Sequence, residues 1–385
     1  MQLLDLRFIY SQEHGKGSCR SLFLRSVAAF WVTIALSGCE TAAYYTQAIN
    51  GQWRILEARE PIDDLLDSQD LSPELRDKLA LVQSVRTFAR DELALPVGGA
   101  YDSYADIGRD YVVWNVFAAP EFSVQPKTWC FPIAGCVGYR GYFIQDEAVA
   151  KAKALKSEGF DIRVGGTRAY STLGWFDDPV LNTFIYDNDI KLVSLLIHEI
   201  AHRQLYVKGD TGFNESFASA VEQEGTRLWL LKRGVSEQEA TVQIDGFRAY
   251  RKKRAVINDL VLAYRDKLIV LYESPLDEEA KREQKAALMS ALNAAYLVMK
   301  QDQGWDDSYD AWMGSMNNAK IASVSQYRSQ VPAFVRLLEQ HNGNFPAFYR
   351  AAEEIASQSP EVRLKAIQAL QQADHNRQSP LLSGE

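Results

Sequence analysis

The sequence has few cysteines and histidines, no excess of positive charge and no apolar run long enough to cross a membrane. Its 385 residues include 4 Cys and 5 His, and 42 Lys and Arg against 50 Asp and Glu give a net charge of −8. A basic surface that follows nucleic-acid phosphates is therefore not expected, and nucleic acid is not an expected partner. The apolar run at residues 27–36 is shorter than the roughly 20 residues of a membrane-spanning helix. A hydrophobic fraction of 47% excludes a disordered chain.

The segment that contains this apolar run has the order of a bacterial export signal. Basic residues precede the run, and the four residues Leu36 to Cys39 (LSGC) follow it directly. This order resembles the lipobox of bacterial lipoproteins, which implies removal of residues 1–38 and attachment of a lipid to Cys39. The resemblance predicts a lipid-anchored protein of the bacterial cell envelope that faces the periplasm. Because Glu40 is not the aspartate linked to inner-membrane retention, the outer membrane is the expected location. An ordinary signal peptide with an incidental cysteine is the alternative.

Two cysteines remain once the predicted signal and lipid are subtracted. Cys130 and Cys136 are separated by five residues, and no histidine or further cysteine lies close enough in sequence to complete a zinc knuckle. Two neighbouring thiols in an exported chain predict a small disulfide loop. Two free buried thiols are the alternative.

The hydrophobic pattern predicts an α+β protein that is predominantly helical. Apolar residues recur at three- and four-residue steps before residue 95 and again after residue 179, which is typical of helices. Aromatic and β-branched residues at 111–117 and 138–143 predict strands, and residues 146–158 predict a short helix between them and the later helices. The predicted segments are a signal (1–38), a helical segment (39–95), an α+β core (96–235), a C-terminal helical region (236–375) and a tail (376–385).

Capping residues predict where several of these helices begin. Ser72 precedes Pro73, and Ser236 precedes Glu239 by three residues, as in a capping box. Ser274, followed by a proline and acidic residues, predicts another start. The basic run Arg251–Arg254 lies within a predicted helix, and in an acidic protein we interpret it as a solvated face and not as an RNA or lipid site.

The residues with the clearest chemistry lie in one predicted helix, 190–207. His198 and His202 stand four residues apart, so both imidazoles lie on one helix face and can converge on one metal ion. Glu199 lies about 100° around the helix, where it can reach a water on that metal without binding the metal. Two histidines satisfied by core hydrogen bonds are the alternative, but burying these groups without an organising partner would be costly. The H-E-x-x-H spacing is the signature of zinc peptidases, and it predicts Zn²⁺ as cofactor.

The segment after these histidines resembles the gluzincin metallopeptidases, especially their aminopeptidases. Those enzymes carry N-E-G-F-A, a small residue and often V-E, close to Asn214 through Glu222 here. The resemblance implies that Glu215 is the third zinc ligand, in a zincin-like helix pair with a small β-rich segment before it and a long helical half after it. Over most of the mature chain the sequence resembles a family of lipoprotein-like bacterial zinc aminopeptidases. Asn214 is expected to cap the helix that carries Glu215.

Two departures from the gluzincin pattern leave alternatives open. Glu215 lies 13 residues after His202, which is closer than in gluzincin aminopeptidases, so Glu222 or Asp210 is an alternative ligand. The G-x-M-E-N segment, whose glutamate holds the substrate amino group in those enzymes, is not found. The exopeptidase activity is therefore implied by the resemblance alone.

The implied mechanism gives each predicted residue a role. Zinc held by the ligand set would lower the pKa of a bound water and polarise the scissile carbonyl, and Glu199 would carry the proton from the water to the leaving amine. An oxyanion donor is also needed, and the candidates are the tyrosines Tyr264, Tyr309 and Tyr327. Residues 171–179 could line the cleft.

The expected substrate is a peptide or an unfolded protein, and the membrane is contacted through the N-terminal lipid. One alternative is a non-catalytic zinc lipoprotein that binds a partner. Another is a zinc amidase that acts on cell-wall peptides, because the same site chemistry would serve both substrates.

Overall fold

The computed structural model describes residues 41–131, 135–169, 177–324 and 330–378. The chain divides into two compact units, residues 1–53 and 54–385, and the described part of the first unit is helical. Several predicted features lie outside the described residues: the signal (1–38), Cys39, residues 171–176 of the predicted cleft lining, Tyr327 and the end of the tail (379–385). The predicted segment boundaries stay predictions.

Helices make up most of the described chain. Before the β-rich segment lie α1 (41–57), α2 (Ile62–Asp67) and α3 (Pro73–Asp91). The middle of the chain contributes α4 (Gln145–Ser157), α5 (Asn182–Ile185), α6 (Asp189–Gln204) and α7 (Thr211–Lys232). The remainder is α8 (Glu237–Glu273), α9 (Glu278–Gln303), a 3₁₀ turn (Asp307–Tyr309), α10 (Asp310–Gly314), α11 (Asn318–Val324), α12 (Val331–Gln340), α13 (Phe345–Ala356) and α14 (Pro360–Gln378).

Short strands form three small sheets in the described residues. The strands are β1 (Arg59–Pro61), β2 (Ser103–Ala105), β3 (Val113–Ala119), β4 (Trp129–Phe131), β5 (Gly135–Val137), β6 (Arg140–Tyr142), β7 (Asp161–Thr167) and β8 (Val180–Leu181). The sheet orders are β1-β2-β8, β6-β3-β7 and β4-β5, and all pairs are antiparallel except β2 with β8. The prediction of a predominantly helical α+β fold is confirmed.

Helices α6 and α7 are the centre of the main hydrophobic core. They run antiparallel, because Ser194 on α6 lies 3.1 Å from Thr226 near the end of α7, whereas His202 lies beside Glu215 near its start. Leu192, Leu196 and Ile200 on α6 and Phe213, Phe217 and Val221 on α7 are fully buried. This burial fixes the rotation of each helix, and therefore the direction in which its polar side chains project.

Gly225 allows the two helices to approach closely. A Cβ at this position would lie 2.8 Å from Cδ1 of Leu93 and 3.1 Å from Cγ2 of Ile197 on α6. Because both neighbours are themselves fully buried, they have little room to move. Glycine is therefore used here for its lack of a side chain, at a cost in helix propensity.

A second hydrophobic cluster lies among α8, α9, α10 and α11. Its fully buried members include Ile257, Leu292, Tyr296 and Ile321. The cluster joins the β6-β3-β7 sheet through polar contacts: Lys285 pairs with Asp161 at 2.8 Å.

The capping predictions are confirmed at two positions and wrong at a third. Ser72 caps α3 with Pro73 in its first turn, and Ser236 with Glu239 forms a capping box on α8. Ser274 ends α8 and does not begin a helix; Asp277 caps α9 instead, because its carboxylate accepts a hydrogen bond from the Ala280 amide.

Among the helices of the described residues, none has both the length and the apolar character that a membrane span requires.

Candidate metal centre

Helix α6 presents His198, Glu199 and His202 from its C-terminal half. The helix starts one residue earlier than the sequence suggested, at Asp189, because the Asn188 side chain accepts the hydrogen bond from the Lys191 amide. The buried apolar face of α6 lies on the core, so the histidines project from the side that faces the start of α7.

The connection between α6 and α7 is short and held on both sides by hydrogen bonds. The Asn214 side chain accepts from the Val207 amide and donates to the Val207 carbonyl, both at 2.8 Å. Asp210 caps α7 by accepting from the Phe213 amide and also pairs with Arg363 of α14 at 2.9 Å. The prediction that Asn214 caps this helix is therefore wrong: it lies inside α7 and clasps the connection.

This tight connection brings Glu215 against the two histidines. The Glu215 carboxylate lies 3.3 Å from Nε2 of His198 and 3.6 Å from Nε2 of His202. The three ligand atoms lie within 4.8 Å of one another, and the group could hold a metal ion. The two imidazole rings are nearly perpendicular, with centroids 4.9 Å apart, so their Nε2 atoms approach one point from different directions.

Glu222 lies behind His198 and not among the three converging groups. Its carboxylate is 3.1 Å from Nδ1 of His198, the ring nitrogen opposite the one that faces Glu215, and the residue is only 2% exposed. A carboxylate that accepts from Nδ1–H fixes the tautomer that leaves Nε2 free to bind a metal. Asp210, the other alternative ligand, is committed to the α7 cap and Arg363.

The charges of these groups are coupled. Burial disfavours charge on His198, but hydrogen bonds to the carboxylates of Glu215 and Glu222 outweigh it and raise the pKa of His198 to about 10. Burial and the positive charge of His198 lower the pKa of His202 to about 4. Burial alone would raise the pKa of Glu215, yet its contact with His198 makes the net shift downward. In the metal-free protein the two carboxylates therefore hold a proton on His198, and a metal ion that binds His198 would have to displace that proton.

Glu199 is beside this cluster but does not belong to it. Loss of water contact raises the pKa of Glu199 to about 7, with the carboxylates of Glu215 and Asp178 adding to the rise and His198 opposing it. A carboxyl group with a pKa near neutrality can both accept and return a proton under working conditions. The role of Glu199 as the general base stays a prediction.

Two side chains from outside the helix pair, Arg254 and Tyr139, interact electrostatically with Glu215. The Arg254 charge contributes to lowering the pKa of Glu215, and the Glu215 carboxylate contributes to raising the pKa of Tyr139, although burial is the larger cause for the tyrosine. The interpretation of Arg251–Arg254 as a wholly solvated face is wrong for Lys253, which is 9% exposed and pairs with Asp306.

The described oxyanion candidates lie elsewhere. The Tyr264 hydroxyl donates to the Ala291 carbonyl on α9, and Tyr309 packs against Trp312; both residues border the second hydrophobic cluster. Tyr101 and Asp178 were not identified from the sequence, although both interact electrostatically with Glu199. The Asp178 carboxylate contributes to raising the pKa of Glu199, and the Glu199 carboxylate contributes to raising the pKa of Tyr101. No spacing rule connects these residues to α6, because they are placed by the loops before β2 and β8.

Cys130 and Cys136 form a disulfide that joins β4 to β5. The two residues are directly paired in the register of this hairpin. Tyr139 lies between this hairpin and β6, three residues after Cys136. It is the tyrosine whose pKa is raised in part by the Glu215 carboxylate.

The donor set fits a divalent metal ion. Two imidazole nitrogens and one carboxylate oxygen converge, a second carboxylate orients one imidazole from behind, and no further protein ligand completes the group in the described residues. A site with three protein ligands has room for a water or a substrate atom.

Comparison with known proteins places the chain in one family. The model of the family described as "Putative aminopeptidase" matches residues 43–367, which include every described residue of the metal centre. No curated protein and no solved structure gives a significant match. Since the family model matches most of the sequence, the chain belongs to the Putative aminopeptidase family.

Proposed function

We propose that this protein is a zinc-dependent aminopeptidase. The observation that carries the proposal is the convergence of His198, His202 and Glu215 beside Glu199, in a chain that belongs to the Putative aminopeptidase family. Two histidines and one glutamate are a ligand set found in catalytic zinc sites, and the missing fourth ligand leaves a place for chemistry. A structural zinc site would instead have four protein ligands and no use for an adjacent base.

A bound zinc ion would supply Lewis acidity, which polarises the scissile carbonyl and acidifies the attacking water. Glu199 accepts the proton from that water and transfers it to the leaving amine. Its pKa near 7 suits both halves of this transfer, since the same carboxylate has to take up and release a proton in each turnover. Glu222 holds His198 in the required tautomer throughout.

We further propose that the protein is attached to the bacterial cell envelope by a lipid on Cys39 and acts in the periplasm on peptides or unfolded proteins, at the outer membrane. The support is the order of residues before Cys39 in the sequence. Labelling of the full chain with a radioactive fatty acid tests the anchor: the label is expected in the wild type and absent from Cys39→Ala. Label retained by Cys39→Ala would contradict the proposal.

Digestion of a peptide library tests the activity. The full chain, purified in mild detergent and loaded with zinc, is incubated with matched libraries whose amino termini are free or acetylated, and the products are identified by mass spectrometry. Stepwise loss of N-terminal residues from the free library alone is expected, and Glu199→Gln should abolish it. Internal cleavage of both libraries would indicate an endopeptidase. Activity on cell-wall peptides alone would indicate an amidase, and a zinc-loaded protein without hydrolytic activity a binding lipoprotein.

A further inference from the structure

Helix α1 (41–57) carries large apolar side chains on the side that is exposed. Ile49 and Trp53 are 65% and 59% exposed, and their spacing of four residues places them on one side of the helix. The opposite side is buried and contains Gln47 and Gly51. The apolar side chains of a helix in a water-soluble protein are normally on its buried side, so the usual arrangement is reversed here.

The exposed apolar face continues towards the start of the helix. Tyr45 and Ala42 lie four and seven residues before Ile49, on the same side. Thr46 also lies on this side, but its hydroxyl donates to the Ala42 carbonyl at 2.9 Å, so its hydrogen-bond donor is satisfied within the helix. We call Ala42, Tyr45, Ile49 and Trp53 the apolar stripe of α1.

The composition of this part of α1 suits a membrane surface. The sequence from Thr41 to Trp53 contains no Asp, Glu, Lys or Arg. Trp53 is exposed, whereas the other tryptophans of the described ranges are buried or half-buried. Tryptophan and tyrosine favour the boundary between a bilayer and water, because each combines an apolar ring with one polar group. Single exposed apolar residues are ordinary, but an uncharged stripe with both aromatic types matches the apolar face of an interfacial helix.

The position of α1 in the chain indicates which partner the stripe contacts. Cys39, the residue for which we propose lipid attachment, precedes the start of α1 by two residues. Two residues of fully extended chain span at most about 7 Å, so a lipid held in the bilayer would bring the start of α1 to the membrane surface. Burial of the apolar stripe in that surface would then be favourable, since it removes apolar area from water.

We propose that the apolar stripe of α1 lies in the interfacial region of the bilayer that holds the Cys39 lipid. This inference rests on the lipid anchor of the proposed function and deepens it, since it gives the protein a second, non-covalent contact with the membrane. A helix that contacts the bilayer along one face cannot rotate freely about its lipid. The side of α1 that carries Gln47 and Gly51 therefore points away from the membrane.

Photolabelling from within the bilayer tests this contact. The full chain is reconstituted in vesicles of phosphatidylethanolamine and phosphatidylglycerol that include a phospholipid with a diazirine near the carbonyl end of one acyl chain. After irradiation, tandem mass spectrometry locates the adducts, which are expected on Ile49 and Trp53. Ala43 and Asn50 are the matched controls: both are exposed on α1 but lie about 100° around the helix from Ala42 and Ile49. They should stay at the background level of a sample that is not irradiated.

The pattern of label decides the inference. Equal label on the stripe and on the two controls would mean that α1 is close to the membrane without a preferred face, and absence of label from Ile49 and Trp53 would mean that the stripe does not contact lipid. Either result overturns the proposal. An unlabelled stripe together with a dimer in analytical ultracentrifugation, dissociated by Ile49→Glu, would assign the stripe to a second copy of the chain.

Incorporation of radioactive fatty acid reports on the anchor separately. A labelled stripe in a chain without fatty acid would support the membrane contact and contradict the lipid on Cys39. A chain with fatty acid and an unlabelled stripe would retain the anchor and overturn the contact.

Discussion

Glu222 provides a sharp test of how the helix pair organises the metal centre. The substitution Glu222→Gln keeps the size of the side chain and one acceptor oxygen near Nδ1 of His198, but it removes the negative charge. The residue is 2% exposed and 3.1 Å from the imidazole, so water cannot replace what is lost. Outer carboxylates of this kind contribute about 10- to 100-fold to metal affinity. The dissociation constant for zinc should therefore rise by that factor, which corresponds to about 1.4 to 2.7 kcal/mol.

Competition with a chromogenic chelator measures this change. Glu224→Gln is the matched control: it lies on the same helix and carries the same charge, but its carboxylate pairs with Arg227. The control should bind zinc as the wild type does. If Glu222→Gln and Glu224→Gln have the same zinc affinity as the wild type, then Glu222 does not act on the metal through His198. The distinction between Glu215 as the metal ligand and Glu222 as the carboxylate that orients His198 would then have no support from zinc binding.

Three further outcomes follow from the structure. Glu199→Gln should retain stoichiometric zinc in metal analysis while peptide turnover falls about 100-fold or more, the contribution typical of a general base; unchanged turnover would exclude that role. Gly225→Ala should lower the free energy of unfolding by about 1 to 3 kcal/mol in urea titrations, because its Cβ would meet buried Leu93, whereas Gly246→Ala, where a Cβ would meet no atom within 4 Å, should not. Zinc affinity measured by calorimetry should increase as pH rises from about 7 to about 9, because His198 must lose its proton to bind the metal and its hydrogen bonds to the carboxylates of Glu215 and Glu222 outweigh burial and raise its pKa to about 10; an affinity that is flat over this range would contradict the coupling. In the metal-free protein the raised pKa of His198 gives the folding stability the opposite pH dependence. Its contribution to stability is fully present below pH 6.5, the pKa of His198 in the unfolded chain, and is lost as pH rises towards 10.

Local patterns in the sequence predicted the helices well. The i, i+4 spacing of His198 and His202 fixed them on one face, and the structure places their Nε2 atoms towards a common point because Leu192, Leu196 and Ile200 bury the opposite face. The capping box at Ser236 was readable for the same reason: its donors and acceptors are three residues apart. Both features depend only on neighbours within about one helical turn.

Features that depend on contacts between distant segments could not be predicted from the sequence. Asn214 has the chemistry of a helix cap, but its amide pairs with Val207, which only a tight connection brings within reach. Sequence spacing alone could not show which of Glu215 and Glu222 is the metal ligand. That depends on the rotation of α7 about its axis, which places Glu215 at Nε2 and Glu222 at Nδ1 of His198. Tyr101 and Asp178 meet only because the loop before β2 pairs with the backbone before β8.

Anomalous X-ray diffraction at the zinc absorption edge tests the central claim most directly. Crystals of the zinc-loaded protein should show one strong peak per chain, about 2.0 to 2.2 Å from Nε2 of His198, Nε2 of His202 and a carboxylate oxygen of Glu215. The peak should disappear in His198→Ala. A peak held by other side chains, or no peak at these residues in zinc-loaded crystals, would contradict the account of this protein as a zinc peptidase.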